Sequence, residues 1–108
     1  MEKSEEQKRQ RFLLETEQMV RDTNREIIHE RVPELTQAQI RPIVETVARA
    51  RAHYLEVAFR VADLGDQAAF DENGLKELRQ SRERYEESRA AFDALTRAIE
   101  RGYVDIED

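Results

Sequence analysis

The chain has 108 residues, with charged and hydrophobic residues at 39% each, a formal net charge of −6, and neither cysteine nor tryptophan. That is the length of one small domain, and the missing thiols exclude a disulfide framework, a thiolate zinc site and a cysteine nucleophile. The longest run of large apolar residues is Phe12-Leu13-Leu14, too short for a membrane span, and the charged N-terminus does not resemble a signal peptide. A single soluble cytoplasmic domain is expected, without membrane association.

The first segment, about 4–31, carries Leu13, Thr16, Val20, Thr23 and Ile27 at three- and four-residue steps, widened by Phe12, Met19 and Ile28. This is the period of an amphipathic helix. Val32-Pro33 should end it, because proline drives the preceding residue out of the helical region. Thr36-Gln37-Ala38-Gln39 has the form of a capping box opening a second helix over about 37–64. Pro42 conflicts with that start, since its ring would oppose the carbonyl four residues back. A break near Pro42 is therefore expected, preferably with Thr36 opening a separate short turn and Pro42 starting the long helix.

In the second helix Ile40, Ile43, Val47, Ala50, Tyr54, Val57, Val61 and Leu64 keep a heptad. Asp63-Leu64-Gly65-Asp66 is a turn, with Gly65 suited to the left-handed conformation that closes a helix. The third helix, about 67–101, repeats the heptad with Leu78, Ser81, Tyr85, Ser88, Phe92, Leu95 and Ile99, and Gly102 stops it before an acidic tail, 102–108. Tyr103-Val104-Asp105-Ile106 alternates like a strand but is too short to found a sheet.

The expected fold is therefore all-α: three long helices forming an antiparallel helical hairpin or three-helix bundle with coiled-coil character. Thr16, Thr23, Ser81 and Ser88 replace large apolar residues in the seams. Hydroxyl residues there allow close helix approach and can bond back to their own carbonyls. The same polar seams would also suit an interface shared with a partner or a second chain.

Chemistry-bearing patterns are sparse. Glu26-x-x-His29 has the spacing by which one helix offers a carboxylate and an imidazole to a di-iron centre, and His53-x-x-Glu56 reverses it. Heptad phase turns His29 toward water, and no further inward carboxylate is marked, so neither metal nor cofactor is expected. No glycine-rich phosphate loop or serine on a tight turn is present, and no enzyme is expected. Basic and acidic residues alternate at helical pair spacing, which makes a solvated face and not a nucleic-acid stripe.

The most distinctive feature is the hairpin tip. Asp63, Asp66, Asp71 and Glu72 surround Ala68-Ala69-Phe70, with no basic residue among them. Helix capping accounts for most of these carboxylates, and a partner-binding probe is the alternative. Asp63-x-x-Asp66-x-Ala68 at such a tip resembles the DksA/TraR family, coiled-coil regulators that enter the secondary channel of bacterial RNA polymerase. Arg82-Glu83-Arg84 and the run from Ala94 to Tyr103 are similar to that family's returning helix. Arg41-Pro42 with Gly65-Asp66 is more distantly similar to the Gre factors. The likeness spans roughly residues 36–103, and the cysteine-bearing zinc finger of the first family has no counterpart after Tyr103.

These readings lead to a non-enzymatic protein–protein interaction module, an adaptor or assembly factor that self-associates as a homodimer. The resemblance implies an alternative: a bacterial transcription modulator presenting Asp63, Asp66, Ala68, Phe70, Asp71 and Glu72 to RNA polymerase, where carboxylates would act on a hard cation. A metal-binding bundle using Glu26, His29, His53 and Glu56 is the third reading.

Overall fold

A computed structural model of the chain describes residues 2–32, 34–65 and 71–107. The elements are α1 (Glu2–Arg31), β1 (Glu34–Leu35), α2 (Gln37–Asp63), α3 (Glu72–Glu100) and β2 (Asp105–Ile106). The protein is all-α, as its periodicity requires, and among the described residues its only extended structure is one two-residue parallel pairing. The backbone divides into two compact units, one made of Gln37–Thr96 and the other of Met1–Thr36 with Arg97–Asp108.

In the Gln37–Thr96 unit the heptad seams of α2 and α3 meet. Arg60 bonds Glu77 at 2.9 Å, and the Tyr54 and Tyr85 rings lie 6.0 Å apart. Residues rising along α2 therefore meet residues falling along α3, which makes the pair antiparallel. Val57 and Ser81 are its fully buried side chains, at 0% and 1% exposure. Ser81 shows why a small residue stands in the seam: its Oγ donates to the Leu78 carbonyl at 2.9 Å, so its polar atom is satisfied within its own helix. Ser88 and Thr16 do the same toward Tyr85 and Phe12. The short side chain leaves room for Val57.

The start of α2 departs from the sequence-based preference. The helix opens at Gln37, directly after Thr36, and continues through Pro42. Proline here removes one N–H near the helix start, where one lost bond is all it forfeits, and both Ala38 and Pro42 are exposed. Thr46 Oγ1 donates to the Pro42 carbonyl at 2.8 Å in the next turn. At the other end Gly65 takes φ +65° and its N–H donates to the Ala62 carbonyl, the expected stop. Asp71 caps α3, its carboxylate accepting from the Asn73 N–H at 3.0 Å.

The other unit is organised around the chain's return to α1. Gly102 at φ +73° ends α3 with a paired cap: the Gly102 N–H donates to the Ile99 carbonyl and the Tyr103 N–H to the Ala98 carbonyl. This is a Schellman arrangement, which sends the following residues sharply off the helix axis. Asp105 and Ile106 then pair in parallel with Glu34 and Leu35, and the Glu107 N–H donates to the Leu35 carbonyl at 2.9 Å. Leu35, Tyr103 and Val104 are buried. Tyr103 and Val104, within the segment read as an acidic tail, are thus packed into the fold, and the alternation in Tyr103–Ile106 marks a true, if minimal, strand pairing.

Candidate functional site

Each residue singled out from the sequence can now be placed. At the hairpin end, Asp63 lies in the last position of α2, while Asp71 and Glu72 open α3, and all three are exposed. Asp71 is spent on capping, as the simpler reading required. Asp66, Ala68 and Phe70 lie outside the described residues.

The candidate metal ligands are dispersed. Glu26, His53 and Glu56 are exposed, and among the described residues no group of three or more histidine or acidic side chains is gathered as a metal site. His29 keeps nearly half of its side chain toward solvent. It is half-buried, and its Nε2–H donates to Asp105 Oδ2 at 2.9 Å. Heptad phase placed it correctly on the far side of α1 from Ile27. What the phase could not reveal is that the chain's end returns to that side.

The resulting cluster joins α1 to the segment after α3. Arg25 donates to Asp105 Oδ1 at 2.6 Å and to the Gly102 carbonyl at 3.0 Å. One guanidinium thus holds both the cap of α3 and the first residue of β2. The Arg25 hydrogen bond first, and that of His29 second, hold the Asp105 carboxyl below its usual range. All three side chains remain about half exposed, so solvent screens the cluster and its role is to fix geometry. Asp105 is committed to these two donors.

Apolar exposure is the larger signal. The stripe expected to seal α1 into a core stays open: Leu13 is 55% exposed, Val20 49% and Ile27 49%, with Phe12 and Met19 more open still. Arg25 and His29 lie roughly 140–200° around the helix from Val20 and Ile27 and hold Asp105 from that side, while Leu13, Thr16 and Val20 line a pocket with Arg101 and the buried Tyr103, so the chain's return also covers part of the stripe. On α2, Val44, Leu55 and Phe59 are exposed although their helix packs on α3. No helix among the described residues is long and apolar enough to cross a membrane.

Ion pairs elsewhere include Arg49 on Glu45 within α2 and Arg60 on Glu77 between helices. Arg51 donates to the Tyr85 hydroxyl at 3.1 Å and lies 5.3 Å from the ring centre, with Arg89 5.7 Å from the same centre. Tyr85 therefore anchors two cations from two helices. Neither known protein families, nor curated proteins, nor solved structures yield a match to this chain.

Proposed function

We propose that the chain is a non-enzymatic protein–protein interaction module, an adaptor or assembly factor that works through helix faces. The observation carrying this reading is the half-exposed stripe Leu13, Val20 and Ile27 on α1, flanked by the more open Phe12 and Met19. Isolated surface leucines are ordinary, whereas a run of large apolar residues along one side of a helix is the form in which helix-in-groove and coiled-coil partners are recognised. Charged residues border the stripe, which favours a specific partner over indiscriminate aggregation.

Affinity purification from the native host, with wild-type chain beside Leu13→Glu and Val20→Glu, tests this. Proteins recovered with wild-type and lost with both variants are expected. Recovery indifferent to both substitutions removes α1 as the binding face.

A second reading draws on the antiparallel α2–α3 pair and the exposed Asp63, Asp71 and Glu72 at its end. In it the tip enters the secondary channel of bacterial RNA polymerase and acts on the active-site magnesium or its mobile elements. Pull-down with purified polymerase decides it: no binding, or binding unchanged in the Asp63→Asn, Asp66→Asn double variant, eliminates the reading.

A further inference from the structure

We propose that α2 is the docking face for a second copy of this chain, the two α2 helices lying antiparallel about a two-fold axis near Arg51 and Ala52. This deepens the interaction reading and rests on it, by naming one partner and one surface.

α2 carries two apolar stripes. The first faces α3. The second, formed by Val44, Ala48, Ala52, Leu55 and Phe59, is exposed along its whole length, and Phe59 reaches 71% exposure. At about 100° per residue these five fall within one sector of roughly 80°, a continuous ridge line along the helix.

Its spacing is symmetric. When a second α2 is laid antiparallel with Arg51 opposite the partner's Ala52, Ala48 meets the partner's Leu55 and Val44 meets the partner's Phe59. Each large side chain faces a smaller one, the arrangement that lets two helix surfaces interdigitate. Ala48 and Ala52 near the axis permit close approach of the backbones. A second copy satisfies both halves at once, because an isologous interface must be self-complementary.

The charges along one flank obey the same symmetry. Offset by two residues from the central register, Arg49 falls beside the partner's Glu56, while Arg60 stays turned to α3, where Glu77 holds it at 2.9 Å. Opposite charges meet there, and the symmetry repeats the pair. Arg49 and Glu56 are exposed. The side chain of Arg49 is 77% exposed even while bonded to Glu45, so it can turn to a new carboxylate. Arg51 would meet its own copy near the axis, but Tyr85 already holds its guanidinium by hydrogen bonds and ring contact on the α3 side. A parallel pairing would instead set Arg49 against the partner's Arg49 and Glu56 against the partner's Glu56.

Absence of cysteine makes the test clean, since one introduced thiol has no competitor. Light scattering during size exclusion should give a dimer for the full chain. Leu55→Glu and Phe59→Glu should each weaken self-association by about 100-fold while circular dichroism shows the helices retained. Arg49→Glu and Glu56→Arg should each weaken it, and the double variant should restore it, which a misfolded chain could not do. Ala52→Cys should form an interchain disulfide or short bis-thiol cross-link readily. Ala62→Cys should not, its two copies lying about 30 Å apart along the axis.

A chain monomeric throughout the micromolar range overturns the pairing, as does cross-linking at Ala62→Cys as readily as at Ala52→Cys. The broader reading fails separately. If the chain is monomeric but Leu13→Glu and Val20→Glu still abolish partner recovery, only the self-pairing is lost. If it dimerises as described but no partner depends on α1, self-association alone survives.

Discussion

Replacing Gly102 by alanine probes how firmly the chain's end is held to α1, through a single backbone angle. Gly102 sits at φ +73°, and a Cβ built there meets nothing within 4 Å. Steric collision with neighbouring elements therefore contributes nothing, and the whole cost is that of placing an L-residue in left-handed space, about 1–2 kcal/mol. Gly74 is the matched control. It lies in the first turn of α3, and an added Cβ would meet Asp71 Oδ2 at 3.6 Å and Val61 Cγ2 at 3.8 Å, ordinary van der Waals contact. Alanine there should stabilise by about 0.5–1 kcal/mol, because the unfolded chain loses freedom and the helix gains a better former. The two identical chemical changes must act with opposite sign. Thermal unfolding followed by circular dichroism should show Gly102→Ala lowering the midpoint by about 4–8 °C and Gly74→Ala raising it by about 2–4 °C. Hydrogen exchange adds the local readout: protection of the Tyr103 amide, which donates to Ala98, should fall in the first variant and not in the second. A Gly102→Ala chain of unchanged midpoint and unchanged Tyr103 protection would refute the Schellman arrangement and the docking built on it.

Three further outcomes follow from the packing and the charges. Val57→Ala, at the fully buried position of α2, should destabilise by about 2–3 kcal/mol in urea unfolding, the lost methyl groups and the residual cavity acting together. Opposite it, Ser81→Ala should change stability by less than about 1 kcal/mol, while Ser81→Leu, the better residue by heptad rules, should cost about 1–3 kcal/mol through overpacking. Asp105 has its pKa lowered by Arg25 and His29, so its contribution is complete above the ordinary aspartate value of about 3.9 and fades as pH falls through the lower folded value. Exchange of the Tyr103 and Val104 amides should therefore accelerate, beyond its intrinsic pH dependence, in strongly acidic solution, and Asp105→Ala should give the accelerated behaviour at neutral pH.

What could be read in advance depended on how many residues shared in a pattern. α1, α2 and α3 each repeat a period over many positions, so their existence and their pairing seam are plain in Ile40 to Val61 and Leu78 to Leu95. Gly65 and Gly102 are equally plain because only glycine takes those angles comfortably. The β1–β2 pairing involves two residues on each side, too few for any period, and its partners stand far apart in the chain. Pro42 misled because a rule for helix interiors was applied near a helix start, where few bonds remain to break. For His29, heptad phase states which side of α1 it occupies, but not that Asp105 comes to that side. The outer stripe of α2 was hidden by the inner one, since a heptad reading assigns Val44, Leu55 and Phe59 to the outside and then stops counting.

The parallel strand contact also bears on the order in which the structure forms. Tyr85 and Arg51 meet across 34 positions and Arg60 and Glu77 across 17, whereas Arg25 and Asp105 must find each other across 80. In an open chain, closing a loop of 80 residues costs about 1.4 kcal/mol more entropy than closing one of 17. Once α2 and α3 have zipped together, less of the chain between Leu35 and Asp105 is free, and the entropy still to be lost on closure is smaller. Substitutions in the α2–α3 seam should therefore slow closure of the Arg25–Asp105 clamp, whereas substitutions in the clamp should leave hairpin formation at its original rate.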